Sequence, residues 1–149
     1  MLLVFESQIK DAKKIIEILK KNGANVIFDE SKTYGYNHIY MALYQTNKAF
    51  EIKSNFADDF TLEYLIRLSG EKQISKALEF GIKEGLNRIG IITTEENKEK
   101  IIQILGNPIA PGKYNKDFIK KYFEIKDINN KTETEKKIFE KIALLNTKL

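Results

Sequence analysis

Histidine and cysteine, the side chains that most often serve as general bases, nucleophiles and metal ligands, are almost absent from this chain. It has one histidine, His38, and no cysteine among 149 residues. A catalytic triad, a disulfide, and a cysteine-built or histidine-rich metal site are therefore excluded in their usual forms. A lone histidine beside a helix start is more often a surface or core residue than a catalyst.

Two adjacent carboxylate pairs, Asp58 with Asp59 and Glu95 with Glu96, are the next candidates for chemistry. Capping of a helix N-terminus and attraction to its dipole explain both pairs without catalysis. A carboxylate pair assembled by the fold stays open at this point. Neither a Walker A loop nor a Gly-x-Gly-x-x-Gly pattern occurs in the sequence. We therefore predict a chain that is not an enzyme, with no catalytic residue, no metal and no cofactor.

Lysine dominates the positive charge, which gives a formal net charge of +4. Clustered ammonium groups attract phosphates and release counterions, although a solvated face in a lysine-rich protein explains such clusters as well. One cluster lies on the polar side of the first predicted helix, and a second lies in the middle of the chain. The residues chosen as candidate RNA contacts are Lys10, Lys14, Lys48, Lys53, Lys72 and Lys76.

Tyr36, Tyr40 and Tyr44 recur at a spacing of four, so they share one face of a helix. Exposed tyrosines of this kind stack on unpaired bases, whereas buried ones pack against a core. Met41 and Tyr44 lie off the stripe of Ile39, Leu43 and Phe50, and we predict that they form a partner-binding face. The alternative is the last helix, whose stripe of Ile138, Ile142, Leu145 and Leu149 is expected to close the core instead.

Three apolar runs bounded by turn signals predict strands at Met1–Phe5, Asn25–Phe28 and Arg88–Ile92. Helical spacing predicts a first helix that is capped by Ser7, contains Ile9 and ends before Gly23. Both a βαβ unit and a two-layer arrangement are compatible with the first strand, helix and strand.

Further helices are predicted from about Ile39 to Ile52 and from Phe60 to Ser69, where Gly70 ends the second of them. Asp58 or Asp59 caps that helix. Other start signals are the capping boxes Thr93 with Glu96 and Thr132 with Glu135, and the cap Asn115.

Size and composition favour one ordinary globular domain over the whole chain. The 149 residues include 42% hydrophobic and 31% charged side chains, which separates the sequence from disordered chains. The apolar start is short and reads as a strand, not as a signal peptide. No apolar run approaches the roughly 20 residues that span a bilayer, so a cytoplasmic location is expected. We predict a single compact α+β domain, with a small mixed or antiparallel sheet and several helices.

The order of several short segments resembles one known family. Thr46-Asn47-Lys48-Ala49 is followed by a helix that ends in Leu68-Ser69, by Ile74-Ser75-Lys76-Ala77-Leu78, and by Phe80-Gly81-Ile82 before a strand. These segments, and the closing run Glu140 to Leu145, are similar to the KEOPS subunit known in animals as PRPK-binding protein, in its archaeal form.

The resemblance implies an adaptor without its own active site. It implies binding to the small atypical kinase of KEOPS, recruitment of tRNA including the CCA end, and a role in the threonylcarbamoyl modification of adenosine. Other KEOPS subunits would be indirect partners. In one departure from the family, the stretch from Ser54 to Asp59 is acidic instead of basic. A small-molecule-binding regulatory domain, and a small enzyme that uses carboxylates or lysine, are the alternatives.

Overall fold

The computed structural model describes residues 1–147, so Lys148 and Leu149, the last residue of the predicted C-terminal stripe, lie outside it. Within that range the chain forms three strands and seven α-helices, which confirms the α+β prediction. In chain order the elements are β1 (Leu2–Ile9), α1 (Ala12–Lys21), β2 (Val26–Asp29), α2 (Tyr36–Glu51), α3 (Phe60–Ser69), α4 (Ile74–Ala77), β3 (Gly85–Ile92), α5 (Lys98–Leu105), α6 (Lys116–Tyr122) and α7 (Lys131–Leu144).

These elements form two compact units. Met1–Glu30 and Gly81–Pro111 make up a sheet unit, and a helical unit contains Ser31–Phe80 and the chain from Gly112 onward. The prediction of one domain over the whole chain stays a prediction. None of the helices in residues 1–147 combines the length and the apolar character needed to cross a membrane.

The sheet unit contains a three-stranded antiparallel sheet with β3 in the middle. Phe5 pairs with Ile89, and Ile27 pairs with Ile91. Since β1 and β2 both run antiparallel to β3, they run parallel to each other, and α1 connects them as a split βαβ crossover. Alternate side chains of the strands, with Leu19 of α1 and Ile101 of α5, form the buried core of this unit.

The first strand is longer than its sequence predicts, and this corrects the predicted start of α1. Ser7 and Ile9 belong to β1, where Ser7 pairs with Asn87. The cap of α1 is Asp11, whose side chain accepts the N–H of Lys14 at 3.1 Å. Cross-strand pairing with β3 keeps these residues extended, an influence that helical periodicity in the local sequence does not contain.

Helix α3 is the buried centre of the helical unit. Asp59 caps it by accepting the N–H of Leu62 at 2.9 Å, and Gly70 ends it in the left-handed conformation, as the sequence predicts. Tyr64 is fully buried on this helix and donates its hydroxyl proton to the carbonyl of Ile39 in α2, at 2.9 Å. Ile138, Ile142 and Leu145 are buried, so the predicted stripe closes the core of this unit.

Both predicted capping boxes are wrong in position. Helix α7 begins at Lys131 because Asn130, not Thr132, accepts the N–H of Glu133. The hydroxyl of Thr93 donates to the carbonyl of Gly23, and the short 3₁₀ turn that follows starts after Thr94. In each case the cap is another polar residue within two positions of the predicted one. The predicted cap Asn115 is confirmed by its contact with the N–H of Phe118 at 3.1 Å.

Candidate functional site

Helix α2 buries one face and exposes the other, and Tyr44, one of the two predicted partner residues, lies on the exposed side. Its buried residues include Ile39, Ala42 and Ala49. Tyr44 keeps 61% of its surface exposed, whereas Met41, one turn earlier, is half-buried. The rings of Tyr36 and Tyr40 stack with centroids 5.3 Å apart. The helix therefore presents a row of aromatic and apolar groups away from the core.

A cleft of about 440 Å³, here named the α2 cleft, opens beside the second half of this helix. Three segments form its walls: α2, the loop between α2 and α3, and the turn after α7. The exposed side chains of Tyr44, Ile52 and Phe56 supply its apolar surface. Its polar lining includes Gln45, Lys48 and Asn146.

A buried carboxylate, that of Glu63, accepts hydrogen bonds from the backbone of the loop between α2 and α3. One oxygen of Glu63, Oε1, accepts the backbone N–H groups of Phe56 and Ala57, both at 2.7 Å. The other oxygen, Oε2, accepts the Nε–H of Arg67 at 2.8 Å. Glu63 and Arg67 are almost completely buried, so removal of either side chain would leave the charge of the other buried without compensation.

Arg67 also reaches the other walls of the α2 cleft. Its Nη1–H donates to Oδ1 of Asn146 at 2.7 Å, and its Nη2 lies 3.5 Å from the carbonyl oxygen of Ser54. The amide of Asn146 then donates to Oε1 of Gln45 on α2, at 2.8 Å. The ring of Phe56 lies 5.0 Å from the guanidinium carbon. One buried side chain therefore contacts all three segments directly or through one amide.

The sequence does not single out Glu63 and Arg67 as site residues, because apolar side chains dominate the stretch that forms α3. A signal was present, since a glutamate four residues before an arginine is a favourable helical pair. The contacts with Ser54 and Asn146 have no such local signal.

The predicted RNA-contacting lysines are all exposed, but the structure divides them between the two units. Lys48 lines the α2 cleft, and the Nζ of Lys72 lies 5.7 Å from the Phe56 ring centroid. Lys53 and Lys76 belong to the same helical unit, where Lys53 lies just after α2 and Lys76 lies on α4. Lys10 and Lys14 belong to the sheet unit, where they line a groove with Ile15 and Ile18. The structure therefore brings Lys48 and Lys72 to the aromatic residues of the cleft.

His38 lies in the core of the helical unit. Its Nδ1 accepts the backbone N–H of Tyr34 at 3.0 Å, so its proton is on Nε2, which lies 2.8 Å from the carbonyl oxygen of Leu68. Burial lowers the pKa of His38 to about 4. The ring is thus a neutral link between α2 and the end of α3.

Comparison with known proteins gives two related matches. A family described as "Kinase binding protein CGI-121" matches residues 7–146. A curated protein from the archaeon Methanocaldococcus jannaschii, named Regulatory protein Cgi121, is 34% identical over 112 residues, which are 71% of this chain and 74% of that protein. The range matched by the family includes α2, the α2 cleft and Arg67.

Proposed function

This chain belongs to the kinase-binding CGI-121 family, and from that membership we propose that it is the accessory subunit of a KEOPS-type complex. In this role it binds the small atypical kinase and recruits tRNA, including its CCA end, for threonylcarbamoyladenosine modification. It acts as a regulatory adaptor in the cytoplasm and carries out no chemical step itself.

The observation that supports this proposal most strongly is the exposed face of α2 and the α2 cleft beside it. A stable specific interface buries about 800 Å² per partner around aromatic and aliphatic anchors. Tyr44 has the exposure and the chemistry of such an anchor, and Met41 extends the face by one turn. We place the kinase on this face.

The α2 cleft has the chemistry that an unpaired RNA end requires. Aromatic rings stack on bases of any sequence, and lysines neutralise the phosphates between them. Phe56 supplies an exposed ring, while Lys48 and Lys72 supply charge beside it. The acidic loop from Ser54 to Asp59 would then contribute a ring and not basic contacts. We place the CCA end here, and the remaining predicted lysines along the body of the tRNA.

Titration with two tRNA substrates tests the RNA part of the proposal. One is an intact tRNA, and the other is the same tRNA without its last three nucleotides. If the CCA end occupies the α2 cleft, the shortened tRNA binds at least about tenfold more weakly, because stacking contributes about 1–3 kcal/mol per base. Equal affinities for the two substrates would contradict a site for the CCA end. Absence of binding to either would remove tRNA recruitment from the proposal.

A further inference from the structure

We propose that Arg67 is a positioning residue that holds the α2 cleft in its binding geometry before a ligand arrives. The inference rests on the proposed function only for the identity of that ligand, an unpaired RNA 3′ end. The role of Arg67 in holding the cleft without a ligand is tested separately.

The first support is the direction of the three contacts made by one guanidinium. The Nε–H is used within α3 by Glu63, Nη1 is used by Asn146 in the turn after α7, and Nη2 approaches Ser54 in the loop after α2. The donors of a guanidinium lie on three nitrogens of a rigid planar fork and so reach three acceptors that lie apart, whereas the three donors of a lysine all lie on one nitrogen. The residue type therefore fits a role in fixing relative positions, beyond supplying a buried charge.

The second support is the way in which Phe56 is held. Its backbone N–H is fixed by Glu63, the partner of Arg67, and its ring lies 5.0 Å from the guanidinium itself. A cation over an aromatic face is attracted to the ring. Both the backbone and the side chain of this aromatic residue therefore depend on the buried pair, and Phe56 keeps 43% of its surface exposed for a ligand.

The third support is a relay that continues to α2. Asn146 joins Arg67 to Gln45, and the Nε2 of Gln45 lies 4.0 Å from the sulfur of Met41. The same network thus reaches a side chain that we assign to the kinase-binding face. An interaction surface that is ordered in advance loses less side-chain entropy on binding.

Global stability alone does not explain this arrangement. A buried ion pair is often replaced by apolar residues of similar volume without loss of stability. Asn146 is an exposed residue, so its bond to Arg67 contributes little core burial. The contacts of the Asn146 amide with Arg67 and Gln45 mainly fix the positions of the cleft walls relative to one another.

The test compares the wild-type chain with Arg67→Lys, with Asn146→Ala, and with Asn129→Ala as a control. Asn129 is an exposed asparagine in the loop before α7, away from the lining of the α2 cleft. Amide hydrogen exchange without ligand reports on Phe56 and Ala57, whose N–H groups donate to Glu63. Affinity for a short single-stranded RNA that ends in CCA and the melting temperature are measured on the same samples.

We expect faster exchange at Phe56 and Ala57 in Arg67→Lys, and RNA binding that is roughly five- to tenfold weaker in Asn146→Ala with its melting temperature almost unchanged. Unchanged exchange in a folded Arg67→Lys chain would overturn the proposal. If Arg67→Lys does not fold, Asn146→Ala decides, and RNA affinity equal to that of Asn129→Ala overturns it. If the wild-type chain binds no RNA, recruitment of tRNA fails. In that case faster exchange at Phe56 and Ala57 in Arg67→Lys than in Asn129→Ala still supports the role of Arg67, and equal exchange overturns it.

Discussion

The Nη1–H of Arg67 donates to Oδ1 of Asn146 at 2.7 Å, although the two residues are 79 positions apart in the chain. This bond joins the central helix of the helical unit to the turn after its last helix. It also explains why the C-terminal turn forms a wall of the α2 cleft. The buried pair beneath it, Glu63 with Arg67, should therefore influence both folding and binding.

Loss of one partner of the buried pair should destabilise the fold strongly. Arg67→Met leaves the Glu63 carboxylate buried without its countercharge, and we expect the free energy of unfolding to fall by about 3–5 kcal/mol. Adding Glu63→Leu to the same chain should recover part of that loss. Urea unfolding measures all three proteins. Lys141→Met, which breaks the half-exposed pair with Glu71, is the control and should cost less than about 1 kcal/mol. A loss in Arg67→Met no larger than in that control would contradict the importance of the buried pair.

Acid should weaken the fold through His38. The unfolded histidine has a pKa near 6.5 and the folded one about 4, so the unfolded state binds the proton first as the pH falls. The contribution of neutral His38 to stability is complete above about pH 6.5 and is lost progressively between pH 6.5 and pH 4. By pH 5 the loss should be roughly 2 kcal/mol. Urea unfolding of the wild-type chain and of His38→Gln from pH 7.5 to pH 4.5 isolates the contribution of His38 to the free energy of unfolding, because both proteins contain the same carboxylates. If the free energies of unfolding of the two proteins fall in parallel with pH, His38 does not contribute to the loss of stability in acid.

Leu144 and Leu145 provide a matched pair of neighbours with opposite environments. Leu145 is 3% exposed, while Leu144 is 56% exposed. Leu145→Asp should therefore lower the free energy of unfolding by at least about 3 kcal/mol, since it removes a core side chain and buries a charge. Leu144→Asp should leave the melting temperature almost unchanged. Equal melting temperatures for the two variants would mean that Leu145 does not close the core.

Local rules predict much of this fold from the sequence. Asp59 and Gly70 define the ends of α3 because capping and the left-handed conformation depend on single residue types. The helical spacing of Ile138, Ile142 and Leu145 predicts their burial in the same way. The fold class and the presence of a small sheet follow from the same kind of local signal.

Features that depend on distant partners do not follow from local rules. The extension of β1 through Ser7 is decided by its pairing with β3. Ile9 fits the helical spacing of the residues that follow it, but it belongs to β1. In the candidate site, exposure of Tyr44 is predictable from the stripe of α2. The hydrogen bond from Arg67 to Asn146 needs the packing of α3 and α7, which residue spacing does not contain.

Reversal of charge at the cleft should weaken tRNA binding selectively. In Lys48→Glu combined with Lys72→Glu, fewer counterions are released on binding, so the affinity falls and its dependence on salt becomes shallower. Binding isotherms at several salt concentrations measure both effects. The control combines Lys120→Glu with Lys136→Glu, two exposed lysines of α6 and α7 that make the same change in net charge. If the control weakens binding as much, net charge and not the cleft determines the affinity.

The four remaining predicted lysines give a separate forecast. Adding charge reversals at Lys10, Lys14, Lys53 and Lys76 should reduce the affinity for intact tRNA further, with little effect on a short CCA oligonucleotide. The same isotherms with both ligands check this difference. A loss of equal size for the short ligand would mean that these lysines also contact the CCA end.

We propose that the kinase binds the exposed face of α2, and calorimetric titration with the purified KEOPS-type kinase measures this binding. The variants are Tyr44→Asp and Met41→Asp, and the control is Leu86→Asp, which changes a side chain of the sheet unit that is 70% exposed. Because half-buried Met41 contributes to packing, its variant is judged only if its melting temperature is retained. We expect binding by the wild-type chain and the control, and a loss of at least about 2 kcal/mol, near thirtyfold, in Tyr44→Asp. Wild-type affinity in a folded Tyr44→Asp chain would contradict the proposal.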